Sequence, residues 1–262
     1  MEVLKLLSDY YGSYDEDNRL CSRHGSVEYL TTMRYVEKYL RTGVHILEIG
    51  AATGRYSHTL ARQGYKVDAV ELVQHNIDIF KANTLPGENI RVFQGNAKNL
   101  NMLGDHTYDI TLLLGPMYHL FTVPEQLEAL SEAIRVTKKG GVIFAAYCGN
   151  EATMIQYCFG RGMLKEDRYQ RLVDPVTFKA SSDPAELFQL YRKEDIDKLM
   201  QVFPVTRLHY VGTDMATNYM RQTIDQMDDE LFDLYLRYHF AICERSDLVG
   251  ASHHILDIFR KD

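Results

Sequence analysis

The chain has 262 residues, 45% hydrophobic and 25% charged, a globular composition that excludes a disordered, collagenous or disulfide-stapled protein. Its 29 basic and 36 acidic side chains leave a formal charge of −7, which repels phosphate backbones and argues against duplex nucleic acid as a partner. Cys21, Cys148, Cys158 and Cys243 form no C-x-x-C pair, as expected of reduced thiols in a cytoplasmic protein, and no apolar run reaches the roughly 18 residues of a membrane span.

Residues 1–43 read as a helical extension. Tyr10, Tyr11 and Tyr14 surround Gly12, and an irregular arm follows. Arg19, Arg23, Arg34, Lys38 and Arg41 are interleaved with Asp15, Glu16, Asp17, Glu28 and Glu37, the pattern of a solvated mixed-charge face. Ser26 can cap a helix carrying Val27, Leu30, Met33, Val36 and Leu40 at three- and four-residue spacing, stopped by Gly43. Strands and helices then alternate. Strands are predicted over 44–49, 66–71, 90–94, 109–114 and 141–148, and helices over 56–62, 75–83 and 124–136. This rhythm implies an α/β fold with a parallel sheet covered on both faces. Beyond residue 150 it loosens into a helix-like piece around Met154, Ile155 and Cys158, then a segment broken by Pro175 and Pro184. A helix over 193–201 and a strand over 204–212 follow. Asp228, Asp229 and Glu230 then lead a helix with Leu231, Leu234, Tyr235 and Tyr238 as its apolar stripe, and a closing strand runs over 252–260.

The stretch Ile46-Leu47-Glu48-Ile49-Gly50-Ala51-Ala52-Thr53-Gly54-Arg55 leaves the first strand, turns and enters a helix. Gly50 and Gly54 would let a ligand lie against the backbone, because a Cβ there would fill the ligand's space. A dinucleotide fingerprint needs G-x-G-x-x-G, but Ala52 holds the second glycine position and Arg55 follows Gly54; a P-loop lysine is also missing. Glu48 would repel a pyrophosphate and suits the ammonium group of a cationic ligand, directly or through water.

These residues resemble the first motif of the class I S-adenosylmethionine-dependent methyltransferases, with Ala52 in place of the more usual glycine. The resemblance implies a doubly wound, mostly parallel, seven-stranded Rossmann-like sheet with an antiparallel last strand, and S-adenosyl-L-methionine as cofactor. It gives Glu71, 23 residues after Glu48, the two ribose hydroxyls, since two carboxylate oxygens suit a vicinal diol. It sets Leu72 on the adenine face, Asn96 as acceptor for the adenine amino group and the Ala97 N–H on a ring nitrogen, with Leu114 in the same set. It also implies an N-terminal lid, in which Tyr14 and Arg23 are the nearest matches and the arginine meets the methionyl carboxylate.

In doubly wound folds ligands lie at the carboxyl ends of the strands, which brings forward the loop Leu113-Leu114-Gly115-Pro116-Met117-Tyr118-His119-Leu120-Phe121. It lacks the Asn/Asp-Pro-Pro-aromatic grip of amino-directed family members and is similar to loops of bacterial small-molecule methyltransferases. His119 and Tyr118 are the catalytic candidates. His119 is open to two roles, base or orienting group, because displacement at a sulfonium depends more on positioning than on proton transfer. Tyr118 either stacks on substrate or packs in the core. The resemblance puts the acceptor wall mainly within 150–250, where Tyr157, Arg161, Arg168, Tyr169, Tyr210, Tyr238 and His239 are candidates. His253 and His254 sit in the closing strand, where neighbours face opposite sides, so no metal is expected. The expected activity is methyl transfer to a nitrogen or oxygen of a small molecule by a monomer or homodimer. A tRNA or protein acceptor, or a non-methyltransferase that binds a nucleotide cofactor, remain as rivals.

Overall fold

The structure, a computed structural model, describes residues 2–13 and 19–262. After helices α1 (Glu2–Ser13) and α2 (Arg23–Glu37), strands and helices alternate through β1 (His45–Ile49), α3 (Arg55–Arg62), β2 (Lys66–Glu71), α4 (Gln74–Asn83), β3 (Ile90–Gln94), β4 (Tyr108–Leu113), α5 (Val123–Val136) and β5 (Thr137–Gly149). The C-terminal part adds α6 (Asn150–Thr153), which runs into a wide turn over 154–159, then α7 (Asp167–Gln170), the two-residue β6 (Leu190–Tyr191), α8 (Lys193–Met200), β7 (Val205–Gly212), α9 (Met215–Tyr219), α10 (Arg221–Asp225), α11 (Asp229–Ile242) and β8 (His254–Lys261).

The strands form one sheet in the order β3-β2-β1-β4-β5-β8-β7, parallel except for β8, which runs antiparallel to both neighbours. The expected seven strands gain an eighth, because Leu190 and Tyr191 pair with Cys148 and Gly149 at the end of β5. Chain order reverses between β1 and β4, so the loops after these strands diverge and leave a crevice at the carboxyl edge.

Alternation along each strand sends neighbours to opposite faces and creates two cores. Leu47, Ile49, Leu113 and Ile143 meet Leu130 and Ala133 of α5 and Ile196 of α8. Ile46, Leu112 and Phe144 meet Val36 of α2 and Leu60 of α3 on the other side. Helix α2 is therefore part of the core, whereas α1 lies over the crevice.

Two boundaries and one helix face differ from the pattern-based reading. Ser22, not Ser26, caps α2: its side chain accepts from Gly25 N, whereas Ser26 donates back to Arg23 O. β5 begins at Thr137, ahead of the expected 141, with a register shift between Tyr108 and Ile110 on β4 taking up the extra residues. The stripe of α11 faces outward, with Leu231, Leu234 and Tyr238 each about half exposed, and His239 is the residue it buries. No helix among the described residues is long and apolar enough to cross a membrane.

Candidate active site

A cavity of about 330 Å³ opens at the carboxyl ends of β1, β2 and β4. Glu48, Gly50, Ala52, Glu71 and Leu72 border it, and so do Asn96, Ala97, Leu114, Tyr118 and His119. Glu71 is held between the glycine turn and α4: one oxygen accepts from Ala52 N at 2.8 Å, the other from Val73 N at 2.8 Å and Asn76 Nδ2 at 3.4 Å. Burial pushes its pKa up against the pull of these donors. Ala52 has φ +46°, a left-handed conformation that costs a Cβ-bearing residue roughly 1–2 kcal/mol, which is the physical reason glycine is usual there.

The two glycines are required by the protein's own packing. A Cβ on Gly50, at φ +76°, would stand 2.6 Å from Pro116 Cδ. One on Gly54, at φ +92°, would stand 2.5 Å from the Phe80 ring and 2.7 Å from His58. Both make room for the protein itself, and Gly54 lies behind the cavity wall. Asn96 is also partly engaged, because its Oδ1 accepts from Lys98 N at 3.0 Å and closes a tight turn.

Glu48 is 2% exposed and accepts from the backbone N–H of Ser57 at 3.0 Å and from its hydroxyl. No cation pairs with it among the described residues. Burial pushes its pKa up to about 8, with the Ser57 donors pulling the other way. A buried, unpaired acid facing a cavity fits a ligand that brings a positive charge.

A second cavity, of about 720 Å³, lies between α1, the start of α2, the 153–190 segment and α9; Tyr11, Arg19 and Tyr118 border both cavities. At this junction His119 Nδ1 is 2.7 Å from Leu187 O, and a carbonyl can only accept, so Nδ1 carries the proton. Nε2 is then the acceptor for the Tyr11 hydroxyl at 2.9 Å. Burial lowers the His119 pKa to about 4, which keeps the ring neutral. The Tyr118 hydroxyl donates to Leu114 O at 3.0 Å while its ring packs on His119 and Phe188.

An ionic chain runs along the second cavity. Arg19 grips Glu28 with two bonds, Glu28 lies 3.2 Å from His254 Nδ1, and Asp214 lies 2.9 Å from the same nitrogen. Burial opposes charge on His254, but the two carboxylates override it and hold its pKa well above the ordinary value. Arg19 and Glu28 are thus interior groups, with side chains 25% and 15% exposed, where a solvated face was expected. The expectation for His253 and His254 also fails. The strand starts only at His254, and Asp214 Oδ1 accepts from both backbone N–H groups, which bends the chain so that both rings face the same cavity.

Arg23 does not reach either cavity: it opens α2, pairs with Asp229 at 2.6 Å and stacks over Phe232. Tyr14 lies outside the described residues. Among the acceptor-wall candidates Tyr157 and Tyr169 line the second cavity, Arg161 stacks on Tyr157 and Arg168 pairs with Glu186. Tyr210 packs against Arg207, and Tyr238 is exposed. Pattern reading missed Tyr11, Arg19, Glu28 and Asp214 as site residues. The one available signal was the tyrosine pair of α1.

Residues 46–141 match the methyltransferase domain family. The ubiquinone biosynthesis O-methyltransferase of Nitrosospira multiformis is 22% identical over 193 residues, covering 71% of this chain and 78% of that protein. The PH0226 protein of Pyrococcus horikoshii has a similar fold, with a TM-score of 0.62 at 15% identity over 97% of this chain and 99% of that one. The CcbJ methyltransferase of Streptomyces caelestis aligns with a TM-score of 0.59 at 14% identity over 97% and 96% of the two chains. With the strand order, the glycine turn and the paired acids Glu48 and Glu71 already in place, residues 46–141 are a methyltransferase domain on a Rossmann-like sheet, similar to the class I S-adenosylmethionine-dependent methyltransferases.

Proposed function

We propose that the protein methylates a nitrogen or oxygen of a small molecule held in the second cavity, with the cofactor in the first. The observation that carries this reading is the shared border: Tyr11, Arg19 and Tyr118 line both cavities, so the ligands of the two meet there. The larger cavity is within the range of small-molecule sites, about 300–1,000 Å³, and α1 covers it. Its aromatic lining and the −7 charge of the chain disfavour a nucleic-acid acceptor.

S-adenosylmethionine, when bound, supplies a methyl group on a sulfonium that a nucleophile displaces in line. The protein's share is placement. In this reading Glu71 takes the ribose hydroxyls with its remaining lone pairs, Leu72, Asn96 and Ala97 border the adenine, and Glu48 faces the ammonium group. Neutral His119 orients the Tyr11 ring at the junction by accepting the hydrogen bond of its hydroxyl. His119 is then a positioning residue that acts through Tyr11.

Isothermal titration with S-adenosylhomocysteine tests the cofactor half. Wild type should bind one equivalent, and Glu71→Ala should weaken binding on the order of 100-fold, as expected for a lost charged hydrogen-bond pair. Binding of NAD in its place overturns the reading. Radiolabelled methyl transfer into a fractionated cell extract tests the other half: label belongs in the low-molecular-weight fraction, and label in tRNA or protein refutes it.

A further inference from the structure

We propose that Asp214, His253 and His254, with Glu28 beside them, form a site for one divalent transition-metal ion in the wall of the second cavity. The ligand atoms of Asp214, His253 and His254 all lie within 4.8 Å of one another. Ligands bound to one ion at about 2.1 Å stand about 3.0 Å apart at right angles and about 4.2 Å apart when opposite. Asp214 Oδ2 is 2.9 Å and Glu28 Oε2 3.2 Å from His254 Nδ1, close to the right-angle spacing.

Two further observations point to a ligand. His254 Nδ1 can carry one hydrogen, yet two carboxylates converge on it. His253 Nδ1 is fully buried and has no hydrogen-bond partner among the described residues, although its ring borders the cavity. A cation between these groups would use all of them. The carboxylate is also fixed from behind: Asp214 Oδ1 accepts from Ser252 Oγ at 2.7 Å, His253 N at 2.9 Å and His254 N at 3.1 Å, which leaves Oδ2 to face the histidines. Such outer bonds are how protein metal sites hold their ligands in place.

Two imidazoles with carboxylate suit zinc, iron(II), cobalt(II) or manganese(II) better than magnesium or calcium. Three protein ligands leave positions open toward the cavity, while Glu28 keeps its bond to Arg19. The His254 ring lies 6.5 Å from that of Tyr118, which borders the junction, so an acceptor bound to the ion through oxygen or nitrogen would sit near the transfer point. That last step rests on the function proposed above, whereas the ion site does not.

The test uses the full chain stripped with EDTA and titrated with cobalt(II) and zinc(II) chloride. One equivalent should bind, with visible cobalt d–d bands and no near-ultraviolet thiolate band. His253→Ala should weaken binding at least tenfold while S-adenosylhomocysteine still binds. This variant keeps the backbone N–H bonded to Asp214, and Asp214→Asn should give the same loss. The absence of stoichiometric binding by wild type overturns the proposal and leaves an ionic chain only. A thiolate band, or unchanged affinity in folded His253→Ala, overturns it as well. Loss of S-adenosylhomocysteine binding by wild type would instead refute the cofactor assignment and leave the metal result standing.

Discussion

The first cavity draws on the loops that follow β1, β2, β3 and β4, at 50–53, 72–73, 95–98 and 114–121, together with α1, whereas the second is closed by residues as far apart in the chain as Arg19, Tyr118, Asp214 and His254. In the first, backbone conformation does most of the shaping: positive φ at Gly50, Ala52 and Gly54, and N–H groups aimed at Glu71. In the second, side chains bridge helices and strands that share no sequence neighbourhood. A site built on a turn tolerates a varied periphery but no change of turn. A site built on long-range pairs can change ligand by changing one pair, which suits the part of an enzyme where acceptor choice is made.

The sharpest way to break this contrast is Gly54→Val. The added side chain meets Phe80 and His58 in a left-handed conformation, so strain and overpacking together should cost on the order of 4 kcal/mol. Urea unfolding checks this, and a loss within about 1 kcal/mol would show that the turn is not the rigid partner.

A smaller effect concerns Glu48. Its pKa in the folded chain, about 8, lies above the ordinary value of 4.5, so the fold holds a proton that the unfolded chain releases. Its contribution to stability is full below about pH 4.5 and declines as pH rises toward 8, by at most about 1.4 kcal/mol per pH unit. Urea midpoints of wild type should therefore fall between pH 5 and 8 relative to Glu48→Gln; parallel curves would remove the buried acid from the account. A cationic ligand should expel the same proton, so binding heats of S-adenosylmethionine near neutral pH should depend on the buffer's ionisation enthalpy.

The least consequential change lies on the outer face of the C-terminal part. Leu234 is 48% exposed, and Leu234→Ser should shift stability by no more than about 0.5 kcal/mol. A larger loss would mean that α11 is covered in solution.

The sequence made the first cavity readable because its information is local. Glu48, Gly50, Gly54 and Glu71 fall within 24 residues, and strand–turn–helix patterning locates them before any contact is known. The reason for the glycines was not readable, since it depends on Phe80, His58 and Pro116 arriving from other elements. Arg19 and Glu28 have the same alternating charge as a solvated helix face. What brings them inside is His254, 226 residues after Glu28, and no periodicity reports that. The facing of His253 and His254 turned on a strand boundary of two residues, the scale at which pattern reading is weakest.

Tyr11 ties the two halves together in a further way. Helix α1 presents Leu7 and Tyr11 to the first cavity and Tyr10 and Tyr11 to the second, so one rigid element forms part of the wall of each. Any displacement of α1 that favours one ligand changes the free energy of binding the other, and thermodynamic linkage requires the two factors to be equal. The cofactor and the acceptor should therefore each report the other's presence through affinity alone. A titration of either ligand, repeated with the other saturating, measures that coupling free energy directly.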